Sequence, residues 1–149
     1  MPTTAYIALG ANLGDRRGNI DRAVELLRAT PGVRVTKISN FLENPAVGGP
    51  ADSPPFLNAV AEIETSLPPR ALLERLLGIE HQLGRQRRRK WDPRIIDLDV
   101  LLYGDAVVDE PDLRIPHPLM HERKFVLDPL KEIAPDAIHP TLKKRIADL

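Results

Sequence analysis

The sequence predicts an α+β fold of the split βαβ, ferredoxin-like type, in which helices cover one face of an antiparallel sheet. Two segments have helical periodicity and four apolar segments have strand character. Their order along the chain is strand, helix, strand, strand, helix, strand. The second and third strands follow each other without a helix between them, which argues against the alternative, a small parallel α/β fold.

The first predicted unit is a strand followed by a helix. Residues 5–9 are apolar and lead into the turn-rich residues 10–15. Asp15 can cap a helix whose apolar side chains recur at helical spacing, and Pro31-Gly32 ends that helix. Residues 33–41 then alternate between apolar and polar, which is typical of a half-buried strand.

A loop and a second strand–helix pair come next. Residues 44–55 hold four prolines and two glycines, so we expect an irregular segment of functional interest. Residues 56–63 resume as a strand. Pro68-Pro69 opens a helix with an apolar stripe, and Gly84 closes it.

The remaining chain predicts one more long strand and an irregular C-terminal part. Residues 85–94 are irregular, residues 95–102 read as a strand, and residues 103–105 as a tight turn. An additional C-terminal hairpin and a short helix over residues 125–133 complete the prediction. The length suits one domain over residues 1–149.

Composition restricts the classes of function. Lys plus Arg equals Asp plus Glu at 21 each, so net charge favours neither nucleic acid nor membrane partners. The chain has no cysteine, which excludes disulfides, thiolate metal sites and cysteine nucleophiles. The N-terminus lacks the order of a signal peptide, and no apolar run approaches the length of a membrane span. We therefore expect a cytoplasmic protein.

The strongest local chemical signal is Asp97-Leu98-Asp99 within an apolar strand. Strand side chains alternate, so both carboxylates point to the same side with Cα atoms roughly 7 Å apart. They can therefore bind one metal ion together or share a pair of ions about 4 Å apart. Oxygen ligands favour a hard ion such as Mg²⁺. The alternative is a strand with one wet face and two solvated carboxylates.

A basic segment directly precedes this strand. Six cations fall within residues 85–94, and Trp91 lies among them. Three interpretations compete, namely a solvated charge run, a nucleic-acid-binding patch and a clamp for a metal-bound polyphosphate. The neutral net charge weakens the nucleic-acid interpretation.

Other catalytic patterns are absent or weak. The sequence has no Walker A motif, which excludes a P-loop kinase, and it has no convincing Ser-His-Asp set. The stretch from Gly10 to Gly14 reads as a plain turn between strand and helix rather than a phosphate cradle. His117, between two prolines, is either a rigidly held ligand contact or a structural histidine.

Several separated motifs resemble the 6-hydroxymethyl-7,8-dihydropterin pyrophosphokinase family, and the likeness covers nearly the whole chain. The run from Lys90 to Leu101, KWDPRIIDLDVL, is similar to the signature of that family. The family's other motifs are matched by residues 5–14, 56–59, 115–118 and 123–127. The resemblance implies a ferredoxin-like enzyme that transfers the β,γ-pyrophosphoryl group of ATP to a hydroxymethyl dihydropterin and releases AMP.

The resemblance also implies a role for each matching residue. Asp97 and Asp99 would hold two Mg²⁺ ions and, with Arg85 and Arg94, form the catalytic set. ATP would contact Glu80, Arg87, Lys90, Trp91, Arg94, Val100, His117 and Arg123. The pterin would lie between Phe56 and Phe125, and its other contacts would come from Asn44, Pro45, Val47, Asn58 and Trp91. Both irregular segments would be mobile lids.

The chain departs from the family pattern at a few positions. Asp92 stands where Gly or Ala is usual, Asn44 replaces a common Thr, and Phe56 replaces a common Tyr. Asp112 falls where the family has an arginine contact, and Arg114 where many members have a small hydroxyl residue. The metal pair and the aromatics are retained, so we expect an active, monomeric enzyme with small-molecule substrates and no nucleic-acid or membrane partner.

Overall fold

Nine strands and three α-helices are present in the computed structural model among the residues that it describes, which are 2–12, 14–44, 55–84 and 96–149. The strands and α-helices are β1 Thr3–Ala11, α1 Arg16–Arg28, β2 Val33–Ile38, β3 Leu42–Asn44, β4 Phe56–Thr65, α2 Pro69–Gln82, β5 Asp97–Tyr103, β6 Val108–Glu110, β7 Leu113–Ile115, α3 Lys124–Ile133, β8 Ile138–His139 and β9 Lys144–Arg145. Two short 3-10 helices, Met120–Glu122 and Ile146–Asp148, are also present in the described residues.

The central sheet has the strand order β2-β4-β1-β5, and β3 also pairs with β4. Every pairing in this sheet is antiparallel. Strands β1 and β2 are therefore parallel to each other and joined through α1, while β4 lies between them in the opposite direction. This is the split βαβ arrangement, so the predicted ferredoxin-like α+β fold is confirmed.

The sheet is covered on both faces. Helices α1 and α2 pack on one face against the β1 side chains Ile7 and Leu9, which are almost fully buried. Helix α3 packs on the other face, where Val126 and Leu130 join Tyr6 in a second apolar cluster. The prediction placed helices on one face only. Helix α3 covers the other face as well, because Tyr6 and its neighbours form an apolar surface there.

Strand boundaries differ from the prediction in two places. The predicted strand over residues 33–41 ends at Ile38, and a separate strand, Leu42–Asn44, follows. Ser39 lies at the break, where its backbone donates to the carbonyl of Val60 and its hydroxyl accepts from the Val60 amide. The side chain thus replaces a backbone partner. The strand resumes at Leu42, and only its last residue, Asn44, falls in the segment that we expected to be irregular.

Both predicted helix starts are observed. The Asp15 carboxylate accepts a hydrogen bond of 3.1 Å from the backbone of Gly18 and caps α1. Pro68 precedes α2 and Pro69 is its first residue, where the missing amide proton costs nothing. Gly84, with a φ of 93°, follows the end of α2.

The predicted C-terminal hairpin is present as β6–β7, and a second short hairpin, β8–β9, follows α3. Leu113 and Ile115 of β7 are buried in the α1–α2 core, so the first hairpin is fixed to the core along β7. Among the described residues, no helix is both long and apolar enough to span a membrane.

Candidate active site

The two carboxylates of β5 lie on the sheet face opposite α1 and α2. Leu98 and Val100 are buried in the α1–α2 core, whereas Asp97 is half-buried and Asp99 is exposed. Asp99 pairs with Ala8 of β1, which packs against the cluster under α3. The alternation of β5 therefore places both acidic side chains on one side of the strand, as the sequence pattern predicts.

A row of three residues crosses the sheet on this face. Asp97 of β5 is opposite Gly10 of β1, and Gly10 is opposite Asn58 of β4. Neighbouring strands are about 4.8 Å apart, so the Cα atoms of Asp97 and Asn58 are separated by about 10 Å. Gly10 has no side chain, and a Cβ atom placed there would lie only 3.1 Å from Oδ1 of Asn58. The amide of Asn58 therefore lies close over Gly10, where a side chain would press on it.

Two buried polar atoms near this row lack hydrogen-bond partners. Within the described part of the chain, these are Nδ2 of Asn58 and Oδ1 of Asn12, and both residues are less than a tenth exposed. An unpaired buried polar group costs about 1–3 kcal/mol, so such groups at a face with open space are typical of a site completed by a ligand. Asn58 supplies a donor that a heterocycle edge can accept.

Aromatic side chains border the same face. Phe56 begins β4 two residues before Asn58, and it lies about 4.0 Å from the Cβ position of Gly10. Phe125 in the first turn of α3 is half-buried against the cluster under that helix. The guanidinium of Arg123 lies 5.9 Å from the centre of the Phe125 ring. The face therefore offers flat apolar surfaces beside the amide of Asn58.

Glu80 links α2 to the carboxylate strand. Its side chain is 3% exposed, and one carboxylate oxygen accepts a hydrogen bond of 2.8 Å from the backbone amide of Leu98. Leu98 lies between Asp97 and Asp99, and among the described strands of the central sheet β5 pairs with β1 alone. Glu80 thus fixes the backbone between the two acidic residues, and its expected contact with ATP stays a prediction.

A cavity of about 240 Å³ opens beside Asp99. Apolar residues of α2, β5 and β7 form most of its wall, and Asp99 and His117 bring polar groups to it. Its lining residues are Leu73, Leu98, Asp99, Val100, Pro111, Asp112, Leu113, Arg114, His117 and Pro118. A second cavity of about 350 Å³ includes His117, Arg114 and residues of the β6–β7 and β8–β9 regions.

The imidazole of His117 is held in its neutral form. Burial lowers its pKa below the ordinary value of 6.5, Arg123 lowers it further, and the carboxylate of Asp99 opposes both. Nδ1 accepts a hydrogen bond of 3.2 Å from the backbone of Leu119, so the neutral ring carries its proton on Nε2. His117 can therefore donate to a ligand in either cavity.

The donor set around Asp97 and Asp99 suits Mg²⁺. Both side chains are carboxylates, and among the described residues no group of three or more His, Cys, Asp or Glu side chains could hold a metal ion. Mg²⁺ in phosphoryl-transfer sites is typically bound by one or two carboxylates, with water and substrate phosphates as the other ligands. An all-protein cage is not needed here.

The structure brings together some of the predicted site residues. Asn44 ends β3 opposite Phe56. The other predicted residues within the described part of the chain have been placed above: Glu80, Asp97, Asp99, Val100, His117, Arg123, Phe125, Phe56 and Asn58. The remaining predicted site residues lie outside the described residues, and so does Asp92. They are Pro45, Val47, Arg85, Arg87, Lys90, Trp91 and Arg94.

Sequence reasoning missed three features of the site. The sequence predicts a turn at Gly10, but this residue belongs to β1, and no sequence pattern assigns a role to Asn12. Cross-strand pairing places Gly10 between Asp97 and Asn58. The apolar run that continues past Leu9 is the sequence feature that indicates the longer strand. The departure at Asp112 is paired with Arg70 of α2, a contact over 42 positions that no local pattern indicates.

Comparisons with known sequences agree with this geometry. A sequence model of the family described as 7,8-dihydro-6-hydroxymethylpterin-pyrophosphokinase (HPPK) matches residues 6–135. The chain is 47% identical to the 2-amino-4-hydroxy-6-hydroxymethyldihydropteridine pyrophosphokinase of Methylorubrum extorquens, over 99% of this chain and 94% of the relative. It is 48% identical to the enzyme of the same name from Bacillus subtilis, over 89% of this chain and 79% of the relative. The nucleic-acid-binding alternative finds no support among these relatives.

Solved structures with a similar fold are longer proteins. Plasmodium falciparum HPPK-DHPS A437G with SDX-DHP superposes with a TM-score of 0.79 at 15% identity, over 99% of this chain and 45% of the other. A structure of HPPK-DHPS in complex with substrates gives 0.75 at 14% identity, over 99% and 43%. The chain spans less than half the length of these solved chains, and at such identity the likeness concerns the fold alone.

Proposed function

This chain belongs to the 7,8-dihydro-6-hydroxymethylpterin-pyrophosphokinase family, whose enzymes act in folate biosynthesis, and we propose that it transfers the pyrophosphoryl group of ATP to the hydroxymethyl oxygen of 6-hydroxymethyl-7,8-dihydropterin. The hydroxymethyl oxygen forms a bond to the β-phosphorus, and the bond from that phosphorus to the oxygen bridging to the α-phosphorus breaks. The products are the dihydropterin diphosphate and AMP, and the hydroxyl proton is released.

The row Asp97–Gly10–Asn58 is the observation that carries this proposal. It places a carboxylate about 10 Å from a buried amide donor, with a bare glycine between them. A pterin ring held at its edge by Asn58 and stacked on Phe56 or Phe125 directs its hydroxymethyl arm along the row toward Asp97. The amide end orients the ring, and the acidic end lies where the accepting oxygen arrives.

Asp97 and Asp99 would hold two Mg²⁺ ions. When bound, these ions would neutralise the triphosphate and lower the energy of charge that develops on its oxygens. The chain contributes two oxygen donors on one side of a strand whose backbone is fixed by Glu80. Arg85 and Arg94 would add positive charge near the transferred group.

ATP would occupy the cavity beside Asp99. Leu73, Leu98 and Leu113 line it with apolar surface that suits a flat base. His117 would donate from Nε2, and Arg123 would pair with phosphate oxygens. Glu80, Arg87, Lys90, Trp91 and Val100 complete the nucleotide contacts that we propose.

Product analysis tests the proposed reaction. Purified protein is incubated with ATP, Mg²⁺ and the pterin alcohol, and nucleotides are separated by chromatography. We expect AMP, formed only when the pterin alcohol is present. ADP in place of AMP would show transfer of a single phosphoryl group and contradict the proposal.

Substitution of the carboxylates tests their role in the same assay. We expect Asp97→Asn and Asp99→Asn each to lower turnover on the order of 10³-fold, because metal charge stabilisation is worth several kcal/mol. Asp105→Asn, at an exposed turn just after β5, is the matched control and should leave turnover unchanged. Normal turnover in either variant of the pair would remove both residues from the reaction.

We also propose that the chain acts as a single-domain monomer in the cytoplasm. The absence of cysteine suits a reducing compartment, and the family match runs through most of the chain. Light scattering coupled to size exclusion should give one species of about the mass of one chain, and a stable dimer would contradict the proposal.

A further inference from the structure

One wall of the cavity beside Asp99 is the tip of the β6–β7 hairpin, residues 111–114. Strands β6 and β7 have three residues each, and a hairpin of this size is marginal without support from the rest of the fold. The position of the wall therefore depends on what holds the hairpin from outside.

Strand β7 of the hairpin is held by the core. Leu113, directly after the turn, is 6% exposed and Ile115 is 1% exposed, and both pack with the side chains under α1 and α2. The turn residues Pro111 and Asp112 are exposed, as is Glu110 at the end of β6. Apolar burial thus fixes β7 and leaves the turn and the adjoining end of β6 to polar contacts.

Arg70 supplies the contact at the tip. Its Nη1 donates to Oδ2 of Asp112 at 3.0 Å and its Nη2 to Oδ1 at 3.0 Å, so the guanidinium grips this carboxylate with two parallel hydrogen bonds. Nη2 also donates to Oε1 of Glu110, on the other strand of the hairpin. The hydrogen bonds from Arg70 hold the pKa of the Asp112 carboxyl below its usual range.

The helix that carries Arg70 is itself fixed. Leu72 and Leu76 are buried in the core, and Glu80 ties the far end of α2 to Leu98. Leu73, one turn beyond Arg70, lines the cavity opposite the hairpin. Arg70 therefore joins the two walls of the cavity, one on a fixed helix and one held in the core through β7.

We propose that Arg70 is a positioning residue for nucleotide binding, because its fork on Asp112 and Glu110 holds the hairpin tip against α2 and sets the width of the cavity. The inference rests on the proposed function, in which this cavity receives ATP. Arg70 touches no nucleotide itself, and the pterin row on the sheet face does not depend on it.

The test measures nucleotide and pterin binding separately in Arg70→Met, a variant that keeps the aliphatic length and loses the fork. Binding of Mg²⁺ with a non-hydrolysable ATP analogue is followed by calorimetry, and KM is measured for both substrates. We expect the Kd of the analogue and KM for ATP to rise roughly three- to tenfold, the size typical of a residue that acts through a neighbour. KM for the pterin and the melting temperature should stay close to those of the unmodified protein.

Arg34→Met is the matched control, since Arg34 forms an exposed ion pair with Glu64 at 2.9 Å between β2 and β4, away from the cavity. It should change none of these values. An unchanged Kd in Arg70→Met, or an equal loss of pterin affinity, would overturn the inference.

A triple variant separates position from charge. Arg70→Met combined with Glu110→Gln and Asp112→Asn removes the fork and also the two carboxylates that would repel a polyanion. We expect the Kd to stay raised, because the tip is still unanchored. A return to the original Kd would show that Arg70 only neutralises charge. Analogue binding that changes as expected, in a protein that makes no AMP, would contradict the proposed reaction and leave this inference standing.

Discussion

Between Asp97 and Asn58, Gly10 leaves the backbone of β1 bare. A Cβ atom there would lie 3.1 Å from Oδ1 of Asn58 and 4.0 Å from the ring of Phe56. The first distance is shorter than an ordinary van der Waals contact, so Asn58 would have to move by a few tenths of an ångström. Close approach of the Asn58 side chain, rather than an unusual backbone angle, explains glycine at this position.

Gly10→Ala should raise KM for the pterin alcohol about fivefold, because small displacements of an orienting group have large effects on a bound substrate. The Kd of the ATP analogue should not change, since the cavity beside Asp99 is formed by other elements. Steady-state kinetics with each substrate varied in turn provides the measurement.

Gly78→Ala is the natural comparison for this variant. No atom lies within 4 Å of a Cβ at Gly78, which occupies an exposed position in α2. Alanine should stabilise the helix by about 0.5–1 kcal/mol and leave kinetics unchanged. Equal effects of the two substitutions on pterin KM would show that Gly10 has no special place in the site.

At the scale of the element, α2 contacts both the hairpin tip and the carboxylate strand. Its first turn carries Arg70, its second contributes Leu73 to the cavity, and its last carries Glu80. One helix thus sets the position of the hairpin tip and of the backbone between the two carboxylates.

Glu80→Ala should lower the free energy of unfolding by about 1–3 kcal/mol, because the amide of Leu98 loses its buried acceptor. Turnover should fall as well, since Asp97 and Asp99 flank that amide. Urea denaturation monitored by circular dichroism measures the first effect. Glu80→Gln keeps an acceptor oxygen, so it should retain most of the stability; a loss equal to that of alanine would indicate that the charge matters more than the hydrogen bond.

The sequence predicts those helices and strands whose formation depends on residues close to one another in the chain. The alternation around Leu98 indicates a strand with two acidic side chains on one side, and Asp15 and Pro69 indicate helix starts. The row that joins Asp97 to Asn58 depends on strand order and register, which arise from contacts over 40 or more positions. The pair between Arg70 and Asp112 is of the same kind, because neither residue lies in a pattern that points to the other.

At the scale of the whole molecule, the two faces of the sheet have different tasks. The α1–α2 face buries the larger apolar cluster and provides most of the stability. The opposite face is apolar under α3 and polar at the end where Asp97, Asp99 and Asn58 lie. The carboxylate pair and Asn58 therefore lie on the second face, whereas Leu98 and Val100, which line the cavity beside Asp99, belong to the first.

Stability should depend on pH through His139, which lies in β8 and has a buried side chain. Burial lowers its pKa below 6.5, and the facing ring of His121, 6.1 Å away, lowers it further. The unfolded chain then binds the proton more readily than the folded one, so the free energy of unfolding should fall as the pH drops below about 6.5. Denaturation curves between pH 5 and pH 8 measure this dependence.

His139→Asn keeps an acceptor for the amide of Leu142, which donates to Nδ1 of the histidine at 3.1 Å. The variant should show a shallower loss of stability over the same interval. Identical slopes for the two proteins would assign the pH dependence to other groups.

The contact between Glu80 and the amide of Leu98 also bears on how copies of the chain meet one another. An edge strand with unpaired amides invites a strand of another molecule to extend the sheet. Glu80 occupies that donor and places a carboxylate beside it, so β5 is a poor template for intermolecular pairing. We therefore expect this one side-chain contact to disfavour extension of the sheet between copies of the chain.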